Sequence, residues 1–177
     1  MRKQTLRKEA ERVRRSASPI DLTDALAEWL SGYERVASYV AFGNEPSVSP
    51  RPGWLLPVLR NDDDLDWARY AGELAPGRRN LMEPVGPRLG IDAIAFVHLV
   101  LVPALLVDRE GYRLGRGGGS YDRALRRTTG TLVAVLHDGE LVDELPRESH
   151  DVPVHGVVTP SGGLVVLRDP GSGKMEP

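Results

Sequence analysis

Val97-His98-Leu99-Val100-Leu101-Val102 decides the fold. The run is short, almost wholly apolar and β-prone, which predicts a strand covered on both faces, as central strands of a parallel sheet are. Thr131 to His137 has the same character, and Val36 to Phe42 (ending at Gly43-Asn44) and Trp54 to Leu59 predict two more buried strands. Val154 to Val158 and Leu164 to Leu167 flank Thr159-Pro160-Ser161-Gly162-Gly163, a turn that closes a hairpin at a sheet edge. Helical pieces separate the strands. Leu6, Ala10 and Val13 lay a thin apolar stripe on a charged helix from Lys3 to Arg15. Ser18-Pro19-Ile20-Asp21 offers a cap, a first-turn proline and an acid. A second helix is predicted from there, with Leu22, Ala25, Leu26, Trp29 and Leu30 on its apolar face and Gly32 as its stop. Asp92 to Ala95 reads as a helical turn and Asn61 to Asp66 as an acidic turn. Trp67 to Gly90, mixed in period and broken by Pro76, Pro84 and Pro87, reads as loops and short strands. Strands alternating with helical segments point to an α/β sandwich.

One link in that plan is tight. Between Glu45 and Trp54 lie only Pro46-Ser47-Val48-Ser49-Pro50-Arg51-Pro52-Gly53, whereas a parallel crossover with a helix needs roughly 10–12 residues. The chain has 177 residues, within the ~100–200 expected of one domain. Residues 1–167 are read as a single α/β domain and 168–177 as a flexible, polar, Gly- and Pro-containing tail. Its apolar share of 41 % and charged share of 27 % are those of a globular protein. With 23 basic and 25 acidic residues, the whole molecule gives no reason to expect nucleic acid or an anionic membrane as partner. Having no cysteine, it has no disulfide, thiolate metal site or cysteine nucleophile. The longest apolar run, Leu99 to Val107, is broken by Pro103 and far short of the ~20 residues that span a bilayer. The charged start Met1-Arg2-Lys3-Gln4-Thr5 lacks a secretory apolar segment, which favours the cytoplasm.

Chemistry concentrates in Arg113-Leu114-Gly115-Arg116-Gly117-Gly118-Gly119-Ser120-Tyr121-Asp122-Arg123, just before the helix-like Ala124-Leu125-Arg126-Arg127. Glycines let several amides turn toward one point, the following helix adds its positive end, and Arg113 and Arg116 add charge, all of which suits a polyphosphate. The run is neither a Walker A loop nor a dinucleotide fingerprint, because Ser120 fills the third glycine slot. The plainer alternative is a solvated surface loop. Asp122 either favours the helix dipole or holds magnesium, and Asp151 is either a turn residue or a second hard ligand. His98 and His137, on apolar strands, read as core residues, and the four histidines have no zinc spacing. The basic residues Lys3, Arg7, Lys8, Arg12, Arg14 and Arg15 are interrupted by Glu9 and Glu11 and lack stacking aromatics, so a solvated helix face outweighs an RNA-binding arm.

Taken with Val102-Pro103-Ala104-Leu105, Asp108 and Gly111, the glycine segment resembles the hallmark of the 5-formyltetrahydrofolate cyclo-ligases, also called methenyltetrahydrofolate synthetases. Lys3-Gln4-Thr5-Leu6-Arg7, Glu45, Glu83-Pro84 and His150-Asp151 extend the likeness over the chain to about Val158. The resemblance implies a three-layer α/β/α sandwich with a mainly parallel central sheet. It also implies conversion of 5-formyltetrahydrofolate to 5,10-methenyltetrahydrofolate, with ATP as co-substrate and Mg2+ as metal. By position it implies Lys3 and Arg7 on ATP, with Arg7 also near the formyl group. Arg113, Leu114, Gly115, Arg116, Gly117, Gly118, Gly119, Ser120 and Tyr121 would surround the phosphates. Arg116 and Arg7 are the expected catalytic residues, Asp122 and Asp151 the metal ligands, and Val40, Glu45, Arg116 and Ser120 the folate contacts. The protein is expected to act as a cytoplasmic monomer; a member that binds ATP or folate without turnover is the alternative. Three positions depart from the family pattern. Ser120 replaces the first of two tyrosines, His155 stands where aspartate is usual, and the Glu45–Pro57 link is shorter by about two helical turns, enough to remove most of a crossover helix beside the folate pocket.

Overall fold

The computed structural model describes residues 2–171. In chain order the elements are α1 (Lys3–Arg15), α2 (Ala27–Ser31), β1 (Val36–Ala37), β2 (Leu55–Leu59), β3 (Leu65–Arg69), β4 (Leu74–Pro76) and β5 (Met82–Pro84). A 3-10 segment (Ile91–Phe96), β6 (Leu99–Pro103), β7 (Leu106–Asp108), β8 (Arg113–Leu114) and α3 (Ser120–Leu125) follow. The chain then forms β9 (Thr131–Val135), β10 (Leu141–Val142), β11 (Gly156–Thr159) and β12 (Gly163–Val166). Seven strands make one sheet in the order β12-β11-β9-β6-β1-β2-β3. Its interior pairs are parallel, and only the edge pairs β2–β3 and β11–β12 are antiparallel. The second of these is the hairpin read from the Thr159–Gly163 turn. The strands β7, β8 and β10 form a small separate sheet, and β4 and β5 a hairpin.

The central strand behaves as its composition demands. Leu99 and Leu101 join a cluster with Leu22, Leu26, Leu30, Tyr39 and Trp54 on one face, while Val100 and Val102 join Trp67, Ile94 and Leu125 on the other. Apolar side chains alternate to both faces, and each face needs its own cover.

Two helical expectations change. The second helix begins at Ala27, not near Pro19. Residues 20–22 are instead drawn into backbone pairing with the link after β1, Ser47 N–H donating to Ile20 O and Leu22 N–H to Ser47 O, both at 2.9 Å. The Asp21 carboxylate turns the chain by accepting the Thr23 N–H. The tight link, residues 38–54, contains no helix. It nevertheless joins two parallel neighbours, Ala37 lying opposite Leu55. The missing crossover helix is replaced by packing: Leu22, Leu26 and Leu30 from before β1 and Val48 and Trp54 from the link cover that face, each no more than 6 % exposed. The strand predicted from Val36 to Phe42 spans only Val36–Ala37; Ser38 N–H still donates to Leu55 O at 2.9 Å, and Tyr39, Val40 and Phe42 beyond it line the cavity described below.

At the carboxyl end of the domain, Arg168 N–H donates to His155 O and its guanidinium to Glu110 O. The expected tail thus starts from an anchored residue, and residues 172–177 lie outside the described region.

Candidate active site

A cavity of about 640 Å³ opens where β1, β2 and β6 end, the edge at which parallel α/β sheets bind ligands. All the residues expected to form a site line it, except Leu114, which is 1 % exposed and whose carbonyl accepts the Leu105 N–H at 2.8 Å. One wall is apolar, from Pro57, Leu59, Leu65, Leu81 and Met82. The opposite side gathers Lys3, Arg7, Arg113 and Arg116 around the glycine turn.

Helix α1 brings its first two turns to that turn. Arg7 Nε donates to Gly115 O at 2.9 Å. Its guanidinium also lies over Gly117, where an added Cβ would sit 3.5 Å away and φ is +105°, a conformation that favours glycine. Gly119, at φ +70°, turns the chain into α3. Lys3 Nζ donates to Asp151 Oδ2 at 2.7 Å and to Glu148 Oε2 at 3.0 Å. Burial opposes the charge of Lys3, but the two carboxylates outweigh it and hold the ammonium pKa above its ordinary value. Burial likewise opposes ionisation of Asp151, and the bonds from Lys3 and the Glu148 N–H hold its carboxyl below the usual range.

Arg113 is buried beneath the turn, with Nη2 donating to Asp122 Oδ1 at 2.8 Å and the guanidinium 5.7 Å from the Tyr121 ring centre. Burial pushes the Tyr121 phenol well up, so it stays a hydrogen-bond donor. Arg113 Nε and Tyr121 Oη are buried without a partner, two donors for a ligand to satisfy. Arg116 is more open. Its Nε donates to Glu45 Oε1 at 3.2 Å, its guanidinium lies 5.4 Å from the Phe42 ring centre, and Glu11 stands 4.0 Å from Nη1. Glu45 Oε2 also accepts the Phe42 N–H at 2.9 Å.

Two departures from the family pattern acquire geometry. Ser120 Oγ donates to Asp63 O at 2.6 Å, so its hydroxyl ties the turn to the Asn61–Asp64 bend. His155 Nδ1 accepts the Leu132 N–H at 2.9 Å, an acceptor role that a carboxylate also fills.

Glu148, Phe42, Tyr39, Arg79 and the apolar wall escaped the sequence reading. Glu148 carried a signal in standing two residues before His150-Asp151, and the fold places donor atoms of all three within 4.8 Å of one another. The others come together only through the fold.

Comparisons with known proteins show the family and the fold. Residues 1–160 match the 5-formyltetrahydrofolate cyclo-ligase family. The chain is 42 % identical over 165 residues to the 5-formyltetrahydrofolate cyclo-ligase of Mycolicibacterium smegmatis, covering 82 % of this chain and 85 % of that one. It is 36 % identical over 141 residues to the enzyme of that name from Escherichia coli, covering 71 % and 78 %. The fold superimposes on the structure of Aquifex aeolicus 5,10-methenyltetrahydrofolate synthetase with a TM-score of 0.77 and 29 % identity, covering 99 % of this chain and 97 % of that one.

Proposed function

The chain belongs to the 5-formyltetrahydrofolate cyclo-ligase family, and we propose that this cavity is where it makes 5,10-methenyltetrahydrofolate from 5-formyltetrahydrofolate at the expense of ATP. The observation that carries the reading is the Arg116–Glu45 contact at 3.2 Å. It joins a cation of the glycine turn to a carboxylate suited to pterin N–H groups, so a phosphate donor and a folate would meet there.

The formyl oxygen attacks the terminal phosphorus and ADP leaves. N10 then adds to the activated carbon, and loss of phosphate and a proton leaves the methenyl bridge. An amide oxygen is a weak nucleophile, so positioning and charge neutralisation do the work. Lys3, Arg7 and Arg113 would bind the triphosphate with the backbone of Leu114 to Tyr121. Arg116, whose planar fork fits a phosphoryl group, would neutralise charge as it transfers. Val40 would contact the pterin, Glu45 would accept its hydrogen bonds, and Ser120 would fix the turn against the folate side. Asp122 and Asp151, both hard oxygen donors, suit Mg2+. Bound there, the ion would offset phosphate charge. In this structure Arg113 and Lys3 neutralise the two carboxylates. Water would hydrolyse the activated carbon, and the apolar wall of Leu59, Leu65 and Leu81 offers it no hydrogen-bonding groups.

The protein is read as a cytoplasmic enzyme. Among the described residues, no helix is long and apolar enough to cross a membrane. Purified protein mixed with 5-formyltetrahydrofolate, ATP and Mg2+ should develop the near-ultraviolet absorbance of the methenyl product. Folate and ATP binding without that absorbance would instead identify a binding protein.

A further inference from the structure

Glu45 is held by more than its own contacts. The carbonyl before it, Asn44 O, accepts a 2.6 Å hydrogen bond from His137 Nε2, and the carbonyl after it, Pro46 O, accepts one from the Tyr39 hydroxyl. Glu45 N–H itself donates to Phe42 O at 3.2 Å. The two rings are buried, His137 at 6 % exposure and Tyr39 at 4 %. His137 does not line the cavity, so any effect it has on a ligand must pass through another residue. Because its partner is a carbonyl, Nε2 is the protonated nitrogen.

The clamp is also tied to α1. Asn44 Nδ2 donates to Arg14 O and Arg15 O at 3.2 and 3.3 Å, capping the carbonyls at the helix end, where Arg14 O also accepts the Ala17 N–H. Arg14 in turn forks onto Glu140, whose carboxylate accepts the His137 N–H at 2.8 Å. A closed ring of contacts thus runs from α1 through Asn44, His137 and Glu140 back to α1. The same helix presents Lys3 and Arg7 to the glycine turn.

We propose that Tyr39 and His137 are positioning residues that grip the carbonyls on either side of Glu45 and fix its carboxylate, relative to α1, for the folate. The inference rests on the folate reading of the cavity. Preorganisation of this kind lowers the cost of ordering a loop on binding.

The test is steady-state kinetics on Tyr39→Phe, His137→Leu and His137→Gln, with melting temperatures measured in parallel. Tyr39→Phe deletes one hydroxyl at constant shape. It and His137→Leu should each raise the KM for 5-formyltetrahydrofolate about five- to tenfold, the worth of one buried hydrogen bond, with the KM for ATP unchanged. The amide of His137→Gln can donate to the same carbonyl and should return the folate KM to the wild-type value. In a Glu45→Ala background, folate affinity measured by calorimetry should not respond further to Tyr39→Phe or His137→Leu. Equal rises in both KM values, an unchanged folate KM in Tyr39→Phe, or full additivity with Glu45→Ala would overturn the positioning role. Wild-type protein that neither binds nor converts 5-formyltetrahydrofolate would overturn the reading of the cavity itself.

Discussion

Asp122 shows why the choice of substitution matters. Its carboxylate is read as a metal ligand, yet it also neutralises Arg113, whose side chain is only 5 % exposed. Removing one member of a buried pair strands the other. Asp122→Ala should therefore abolish turnover and also destabilise the protein, by up to about 3 kcal/mol, the low end for breaking a buried ion pair. Asp122→Asn keeps an oxygen for Arg113 and loses the anionic ligand. Because Arg113 keeps its acceptor but loses its counter-charge, Asp122→Asn should be destabilised less than Asp122→Ala while its turnover remains lost; wild-type rates in Asp122→Asn would refute the metal role. Arg116 permits a cleaner experiment, because its guanidinium is partly open and stacks near Phe42. Arg116→Lys preserves the charge but loses the planar fork, which should lower kcat roughly 10- to 100-fold, as expected for a charge-assisted hydrogen bond worth about 1.5–3 kcal/mol. Near-normal kcat with a raised KM for ATP would reduce Arg116 to simple attraction.

The short link after β1 makes its own prediction about which segment stabilises the sheet. Leu30 of α2 is 1 % exposed and packs with Val36, Leu99 and Trp54, covering the face that a crossover helix would otherwise occupy. Leu30→Ala should cost about 2–5 kcal/mol by leaving a cavity in this cover, read as a lower denaturation midpoint. It lies outside the active cavity, so kcat per folded molecule should hold; a loss of kcat without destabilisation would mean that the cover shapes the folate pocket directly. The same elements show what the sequence made legible. Val97–Val102, Thr131–His137 and the Thr159–Gly163 hairpin were readable because β-branched runs and turn residues act locally. The glycine segment was readable because its chemistry is consecutive. The helix expected from Ser18 was not, since the pairing of Ile20 and Leu22 with Ser47 competes across a sequence distance that no cap signal reveals. Glu45 could be assigned to a site, but the rings that clamp its neighbours arrive from Tyr39 and from the end of β9, and only the sheet order brings them together. The loops and short strands expected over Trp67–Gly90 include β4 and β5, but that the two pair with each other was not legible, because they are half-exposed and lack a sustained period.

Across the whole molecule, a formal charge of −2 conceals titratable groups that make stability depend on pH in separate ranges. At the acid end, the Arg127 guanidinium holds the Asp64 carboxyl below its ordinary 3.8, through bonds of 2.8 and 2.6 Å. That contribution is complete above 3.8 and is lost as pH falls through the lower folded value. His155 acts earlier. Burial, reinforced by Arg168 and partly offset by Asp169, lowers its pKa below 6.5. Geometry demands the same, since Nδ1 must stay unprotonated to accept the Leu132 N–H, at the junction where β11 joins β9. Above 6.5 both folded and unfolded chains carry a neutral ring and the contribution is complete; below it the unfolded chain takes up the proton first, so stability falls until the folded value is passed. His155→Asn supplies an amide oxygen as acceptor with no titration. Urea midpoints measured from about pH 7 down to about pH 5 should fall more steeply for wild type than for His155→Asn, while both keep the deeper acid loss from Asp64. Parallel curves across that range would show that His155 does not carry this pH dependence, and that its nitrogen is not the acceptor joining the two strands.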